Sequence, residues 1–347
     1  MFTFSPIYDQ PTGSSNLLKI PINMSVTAKI LFPCATLAAF IFTACGSNTD
    51  DSKSATPEVS IPEAPDAAIE TIAQELRDGN GAILWEAMPA SYRTDVNAVA
   101  QLAGNKVDAE IYNKGFGLLD RLADVADQQK TFILGTQLGG EKPAEQLAQI
   151  EAAWPSIIGF FKTLTNSSIA TVEGLQSFDG QAFCATTVSA LVDYSQDLAK
   201  LSEEPNPLDF GSVKLLESTA ETASLEVTQP DGTVNTEAFS KVESRWVPSE
   251  LASTWATNMA DAKAQLEAIS PEEIAQNKPQ IMGAITMFEG ILTQLEAAET
   301  QEQFDQALQG AMMPIMGIMM MQGGMGGGSA PAMPVAPSMP ATPTTAP

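Results

Sequence analysis

Histidine is absent from the 347 residues. Its absence excludes Ser-His-Asp and Cys-His nucleophile systems, zinc sites built on imidazole, and the usual general base near neutral pH. Cations are scarce: 17 Lys and Arg stand against 42 Asp and Glu, for a formal net charge of −25. Nucleic-acid backbones and anionic lipid surfaces both recruit clustered Lys and Arg, so no nucleic-acid partner is expected. The acids are spread through the chain rather than bunched, as suits a solvated, self-repelling surface. Cysteine is limited to Cys34, Cys45 and Cys184. The apolar run Ile30 to Ala44 falls short of the roughly twenty residues that span a bilayer as a helix. No internal repeat is present.

What the chain does have, near its start, is the segment KILFPCATLAAFIFTAC from Lys29 to Cys45. One positive charge, a short apolar run and small residues at its end form the pattern of a secretory signal. The spacing points to Met24 as the true start, with residues 1–23 as an upstream extension. Phe42-Thr43-Ala44-Cys45 resembles the bacterial lipobox, with Phe42 where the family usually has Leu, Val or Ile. The resemblance implies diacylglycerol on the Cys45 thiol and removal of residues 1–44. Gly46-Ser47, rather than Asp, follows the cysteine. In the lipoproteins this resembles, that implies an outer-membrane anchor facing the periplasm. Cys34 then leaves with the signal and Cys45 carries lipid, so Cys184 has no disulfide partner and stability must come from core burial. The removed residues carry Lys19, Lys29 and Asp9, which leaves the mature chain one charge more negative than −25.

Patterning divides the rest. Residues 45–65 are polar, acidic and rich in Ser, Thr and Pro, and are expected to form a flexible tether. Residues 66–208 read as a helical domain. Helices are expected at Ala67–Arg77, Ala82–Met88, Ser91–Leu102 and Asp108–Ile133, and from Pro143 through Leu164 with a kink at Pro155. One more is expected over Gln181–Leu201. Ile111, Leu118, Leu122, Val125 and Phe132 form one apolar stripe. Residues 209–321 read as a β-meander followed by helices packed on or beside the first domain. SVKLLES, SLEVTQPDGTV, TVNTEAF and KVESRWV supply three or four strands, with turns at Pro230-Asp231-Gly232 and Glu243-Ser244. Ser270-Pro271-Glu272-Glu273 is a capping box. Leu251, Trp255, Met259, Leu266 and Ile269 form a buried stripe, Ile281–Ala298 follows as a helix, and Phe304–Met321 as the last, with Pro314 expected to kink or split it. Residues 322–347, rich in Gly, Pro, Met and Ala, read as a disordered tail. The expected fold class is mainly α with a small antiparallel β-sheet (α+β), a helical bundle plus a meander. SLEVTQPDGTV followed by SRWVP is similar to the sheet segment of uncharacterised exported bacterial lipoproteins. That likeness covers 211–247 and implies no activity.

Met312, Met313, Met316, Met319, Met320, Met321 and Met325 crowd a short span. Met313, Met316, Met319 and Met320 would share much of one helical face. Thioether sulfur is a soft ligand that selects Cu(I), and exported Met-rich segments this resembles handle copper or silver. The simpler reading is an adaptable apolar contact or packing surface. GGMGGG at 323–328 lacks the Lys and Ser/Thr of a phosphate loop. Cys184 lies beside Phe183 and Val188 and reads as a small hydrophobe. Glu203-Glu204 and Glu272-Glu273 are adjacent on the chain and so diverge on a helix. Asp231-Gly232-Thr233-Val234-Asn235 has Gly at the wrong position for a calcium loop and Val242 where the bidentate Glu belongs. Trp246 and Trp255 are expected to pack the meander against the following helix. No catalytic residue and no cofactor are expected. The leading expectation is a non-catalytic, lipid-anchored envelope protein that binds another protein or supports assembly. Cu(I) binding by the methionines and carboxylate-based hydrolysis are the alternatives.

Overall fold

A computed structural model describes residues 60–137, 143–201, 212–229 and 232–323, with side chains described as far as Met312. The signal segment, Cys45, Glu203-Glu204, Pro230-Asp231 and the tail from 324 lie outside the described residues. The architecture is mostly helical with one four-stranded antiparallel sheet, the α+β class expected.

Helix α1 (Pro65–Arg77) opens with Pro in its first turn, where a missing N–H costs nothing. It closes on Gly79 at φ 79°, with the N–H of Asn80 donating to Glu75 O and that of Gly79 to Leu76 O, a Schellman ending. Next come α2 (Ala82–Ala87), α3 (Ala90–Lys106), α4 (Ala109–Gln128), α5 (Lys130–Gly135), α6 (Ala144–Thr165) and the one-turn α7 (Val172–Gln176). The long helix expected over Asp108–Ile133 is therefore two, broken at Gln129. The buried amide of Gln129 turns outward from the bundle axis of α4 to donate to the carbonyls of Glu296 and Ala298. Its stripe is also interrupted: Ile111 and Val125 are buried, but Leu122 is 48% exposed.

The helix expected over Gln181–Leu201 forms as α8 (Gly180–Phe183), a π-helical segment Cys184–Val188, and α9 (Ser189–Ala199). The wide turn has a visible cause. Gly81, at the start of α2, lies so close that a Cβ there would meet the Ser189 nitrogen at 2.5 Å and the Cys184 carbonyl oxygen at 2.7 Å. The Gly81 N–H donates to Ser189 Oγ at 2.8 Å, so the incoming backbone is bonded where the ladder shifts.

The sheet runs β1 (Ser212–Ser218), β2 (Thr222–Thr228), β3 (Val234–Val242) and β4 (Arg245–Pro248), in sequence order. Register shifts between Leu215 and Glu217 of β1, a bulge at Leu216. The β3–β4 hairpin turns through Glu243 and Ser244 at φ 47° and 67°, the left-handed geometry a two-residue turn requires. Glu243 Oε2 accepts from the Ser91 N–H at 3.0 Å, capping α3 from across the fold where Pro89 offers no side-chain acceptor. Hydrogen bonds from Ser91 hold the Glu243 carboxyl below its ordinary range.

Helices α10 (Ser249–Glu267), α11 (Pro271–Glu296) and α12 (Gln301–Gly323) complete the described residues. Ser270 caps α11, its Oγ accepting from the Glu273 N–H. Pro279 does not split α11, nor does Pro155 end α6. Each ring frees a carbonyl four residues back, at Ala275 and Glu151, and both residues are exposed, so water replaces the lost donor.

Three clusters of five or more buried residues tie the two halves of the chain together, beside a smaller contact of Ile111 with Ile274. Ala68 of α1 packs with Val213, Ala223, Leu225, Phe239 and Trp246 of the sheet. Tyr92 and Val99 of α3 pack with Val247, Trp255 and Met259. Val125 of α4 packs with Leu292, Leu295 and Phe304. The sheet and the helices that follow it thus pack against α1, α3 and α4. The folded body also begins earlier than expected: Ile61 packs against both the central helical cluster and the sheet cluster, and Glu63 O accepts from Trp246 Nε1 at 2.8 Å. Of residues 60–65, read from their polarity and Pro content as tether, the half-buried Ile61 and buried Pro65 pack on the body, and the indole bond to Glu63 holds the segment there.

Candidate functional site

The methionine-rich half of α12 is the extremity of a helix held firmly at its other end. Phe304 is 2% exposed and Ala311 is buried. Gln301 Nε2 donates to Phe132 O at 3.0 Å, and the Asp305 carboxylate accepts from Thr136 Oγ1 at 2.7 Å. Beyond Ala311 the first described side chain, Met312, is 49% exposed. The backbone stays helical from there to Gly323, through Pro314, over MMPIMGIMMMQG, a stretch without a charge. At roughly 1.5 Å per residue that is about 18 Å of helix. Met313, Met316, Met319 and Met320 lie in this stretch; their side chains are outside the described residues.

Cys184 is buried at the start of the π segment, in the central cluster with Phe183 and Val188. Both tryptophans serve the core, in different places. Trp255 stacks on Tyr92 with ring centroids 3.9 Å apart and joins β4 to α10, as expected. Trp246 packs instead toward α1 and the residues before it. Burial raises the Tyr92 phenol above its usual value, with the Glu243 charge adding to it.

Carboxylates that converge do so on lysines. Lys162 Nζ lies 2.9 Å from Asp120 and 2.7 Å from Asp124, and Lys278 Nζ bridges Asp108 and Glu110. Lys263 pairs with Asp95 at 2.7 Å, and Trp255 Nε1 donates to the same carboxylate. The Lys162 hydrogen bond, then that from Thr165, holds Asp120 below the ordinary carboxyl range; Lys263 does the same for Asp95. Burial would raise Asp108, but bonds from Ile111, Lys278 and Glu110 outweigh it and lower it. Acid–base work by paired carboxyls needs one member raised to keep its proton. Among the described residues, no group of three or more Asp, Glu or Cys could hold a metal ion, and no helix is long and apolar enough to cross a membrane.

A groove of about 400 Å³ lies between α1 and β1, lined by Glu70, Ala73, Gln74 and Arg77 on one side and Ser212 and Val213 on the other. Nothing in the α1 sequence singles these residues out. The one available signal is in SVKLLES, where alternation fails at the adjacent leucines, as on a strand covered poorly on both faces.

The chain matches no family model, no curated protein and no solved structure.

Proposed function

We propose that this is a non-catalytic, lipid-anchored protein of the bacterial cell envelope, held to the outer membrane through Cys45, that binds a protein partner through the methionine-rich half of α12. The carrying observation is that helix: charge-free over Met312–Gly323 in a chain of net charge −25, and anchored through Phe304 and Gln301. Methionine supplies a flexible, polarizable contact that adapts to irregular surfaces, and the apolar face of a helix is a recurrent anchor for partner grooves. The lipobox resemblance supplies the membrane placement. Converging carboxylates neutralised by lysine give hydrolysis no support.

The test compares the full lipidated chain with one ending at Met312, both expressed in a diderm bacterial host. Mass spectrometry should find a diacylated N-terminal Cys45, and a partner retained by the full chain should be lost from the truncated one at an unchanged melting midpoint. An unacylated Cys45, or a partner retained after truncation, defeats the proposal. Stoichiometric Cu(I) uptake lost on truncation would favour the soft-metal reading.

A further inference from the structure

The sheet has an open edge. Among the described residues β1 is paired only by β2, and Val213 alone of its seven residues is buried. Leu215 is 36% and Leu216 42% exposed. An unpaired edge offers a row of backbone N–H and C=O groups to another strand. The α1 groove runs beside it, floored by Ser212 and Val213. A helix alongside an open strand, with a groove between, accommodates an extended peptide: main-chain bonds hold it, and alternate side chains enter the groove.

Charge selects the occupant. Glu70 and Glu75 stand in the groove wall, while its guanidinium, Arg77, donates to Gln74 Oε1 at 2.8 Å. Glu217 is exposed further along β1, Lys214 of the same edge is paired with Glu226 at 3.5 Å, and the chain carries −25 overall, so a cationic segment is steered in and an acidic one repelled. A second copy is disfavoured twice, by that same charge and by the bulge at Leu216, which ends the straight run after Leu215. We propose that the β1 edge from Ser212 to Leu215 takes an extended cationic segment of a partner protein as a fifth strand, its alternate side chains reaching Glu70 and Glu75. This rests on the β1 edge alone and is independent of α12 and of the lipid.

The probe is a fluorescein-labelled octapeptide of alternating Lys and Val, titrated into the full chain and followed by anisotropy. Saturable binding is expected, with no binding of the Glu-Val counterpart. Methylating alternate backbone nitrogens of the probe leaves its charge intact and removes donors along one edge. That change should weaken binding at least tenfold, as should E70K, which lies on the exposed face of α1. Hydrogen exchange of residues 212–215 should slow when peptide is added. Equal binding of the methylated probe, or no effect of E70K, would overturn the proposal in favour of unspecific charge attraction. So would edge amides already protected in the free chain, which would mean that its own residues cover them. A dimer of the free chain that the peptide competes away would assign the edge to a second copy and overturn it too.

Discussion

Replacing Gly81 by alanine sets two physical effects against each other. Gly81 has φ −64° and ψ −20°, so backbone preference alone favours alanine by about 0.5–1 kcal/mol. Packing opposes it. The new Cβ would stand 2.5 Å from the Ser189 nitrogen, 2.7 Å from the Cys184 oxygen and 2.9 Å from the Val188 carbonyl carbon. All are backbone atoms, so relief means displacing the α9 end of the π segment, not turning a side chain. Overpacking costs about 1–3 kcal/mol, and an obstruction of this kind belongs at the upper end. The displacement also stretches the 2.8 Å bond from Gly81 N–H to Ser189 Oγ, a loss of about 1 kcal/mol. The net is a destabilisation of about 2–3 kcal/mol, a drop in melting midpoint of roughly 5–10 °C for a body of this size. Circular dichroism at 222 nm is the assay. G115A is the control: a Cβ there meets nothing within 4 Å, and it should raise the midpoint by about 1–3 °C. If G81A raised the midpoint as G115A does, the account of the π segment as a consequence of close approach would be wrong.

Leu225 is fully buried in the sheet cluster, so L225A should cost about 2–5 kcal/mol in urea unfolding, whereas L216A on the exposed bulge should stay within about 0.5 kcal/mol. Ser244 holds a left-handed conformation that glycine adopts freely, so S244G should stabilise by about 1 kcal/mol; an unchanged or lower midpoint counts against the hairpin geometry. Asp95, Asp108 and Asp120 have folded values below the ordinary carboxyl range. Their contribution is therefore complete above that range and lost as pH falls through the lowered values. Lys162 is raised, its bonds to Asp124 and Asp120 overcoming the effect of burial, and Lys278 is raised by the bonds it donates to Glu110, then Asp108. Their contribution is complete below the usual lysine value of 10.5 and disappears as pH rises through the raised values. The midpoint should accordingly be flat through neutrality and fall below about pH 4, with D120N falling less steeply than the parent. Parallel acid limbs would show that the Lys162 pair contributes nothing.

Local chemistry was easiest to read where a residue type has one dominant use. Ser270 before Pro-Glu-Glu starts a helix, Glu243-Ser244 between alternating runs turns a hairpin, and the Gly-rich break after Arg77 ends α1; all three form as expected. Periodicity was less decisive, because it marks a face without saying whether anything covers it. Leu122 keeps the spacing of Ile111 and Val125 yet stays half in water. The helix expected from Ile281 starts instead at Pro271 and runs through Pro279, because the carbonyl that Pro279 frees at Ala275 is exposed, a property of the fold. The π segment had no local signal, since its cause lies at Gly81, about a hundred positions away. The groove at β1 was hidden for a similar reason: its two walls come from distant parts of the chain, and neither carries a motif.

The bond between Glu63 and Trp246 joins residues 183 positions apart. Such a closure lies at the costly end of loop entropy and slows folding. Until the sheet residues have been synthesised and delivered, Ala68 and Ile69 have no apolar cover, so α1 is left with a sticky flank for most of the chain's emergence. Fragments ending before about residue 248 should therefore aggregate or engage holding chaperones, and a protease pulse during refolding should cut near residues 60–70 last of all to become protected.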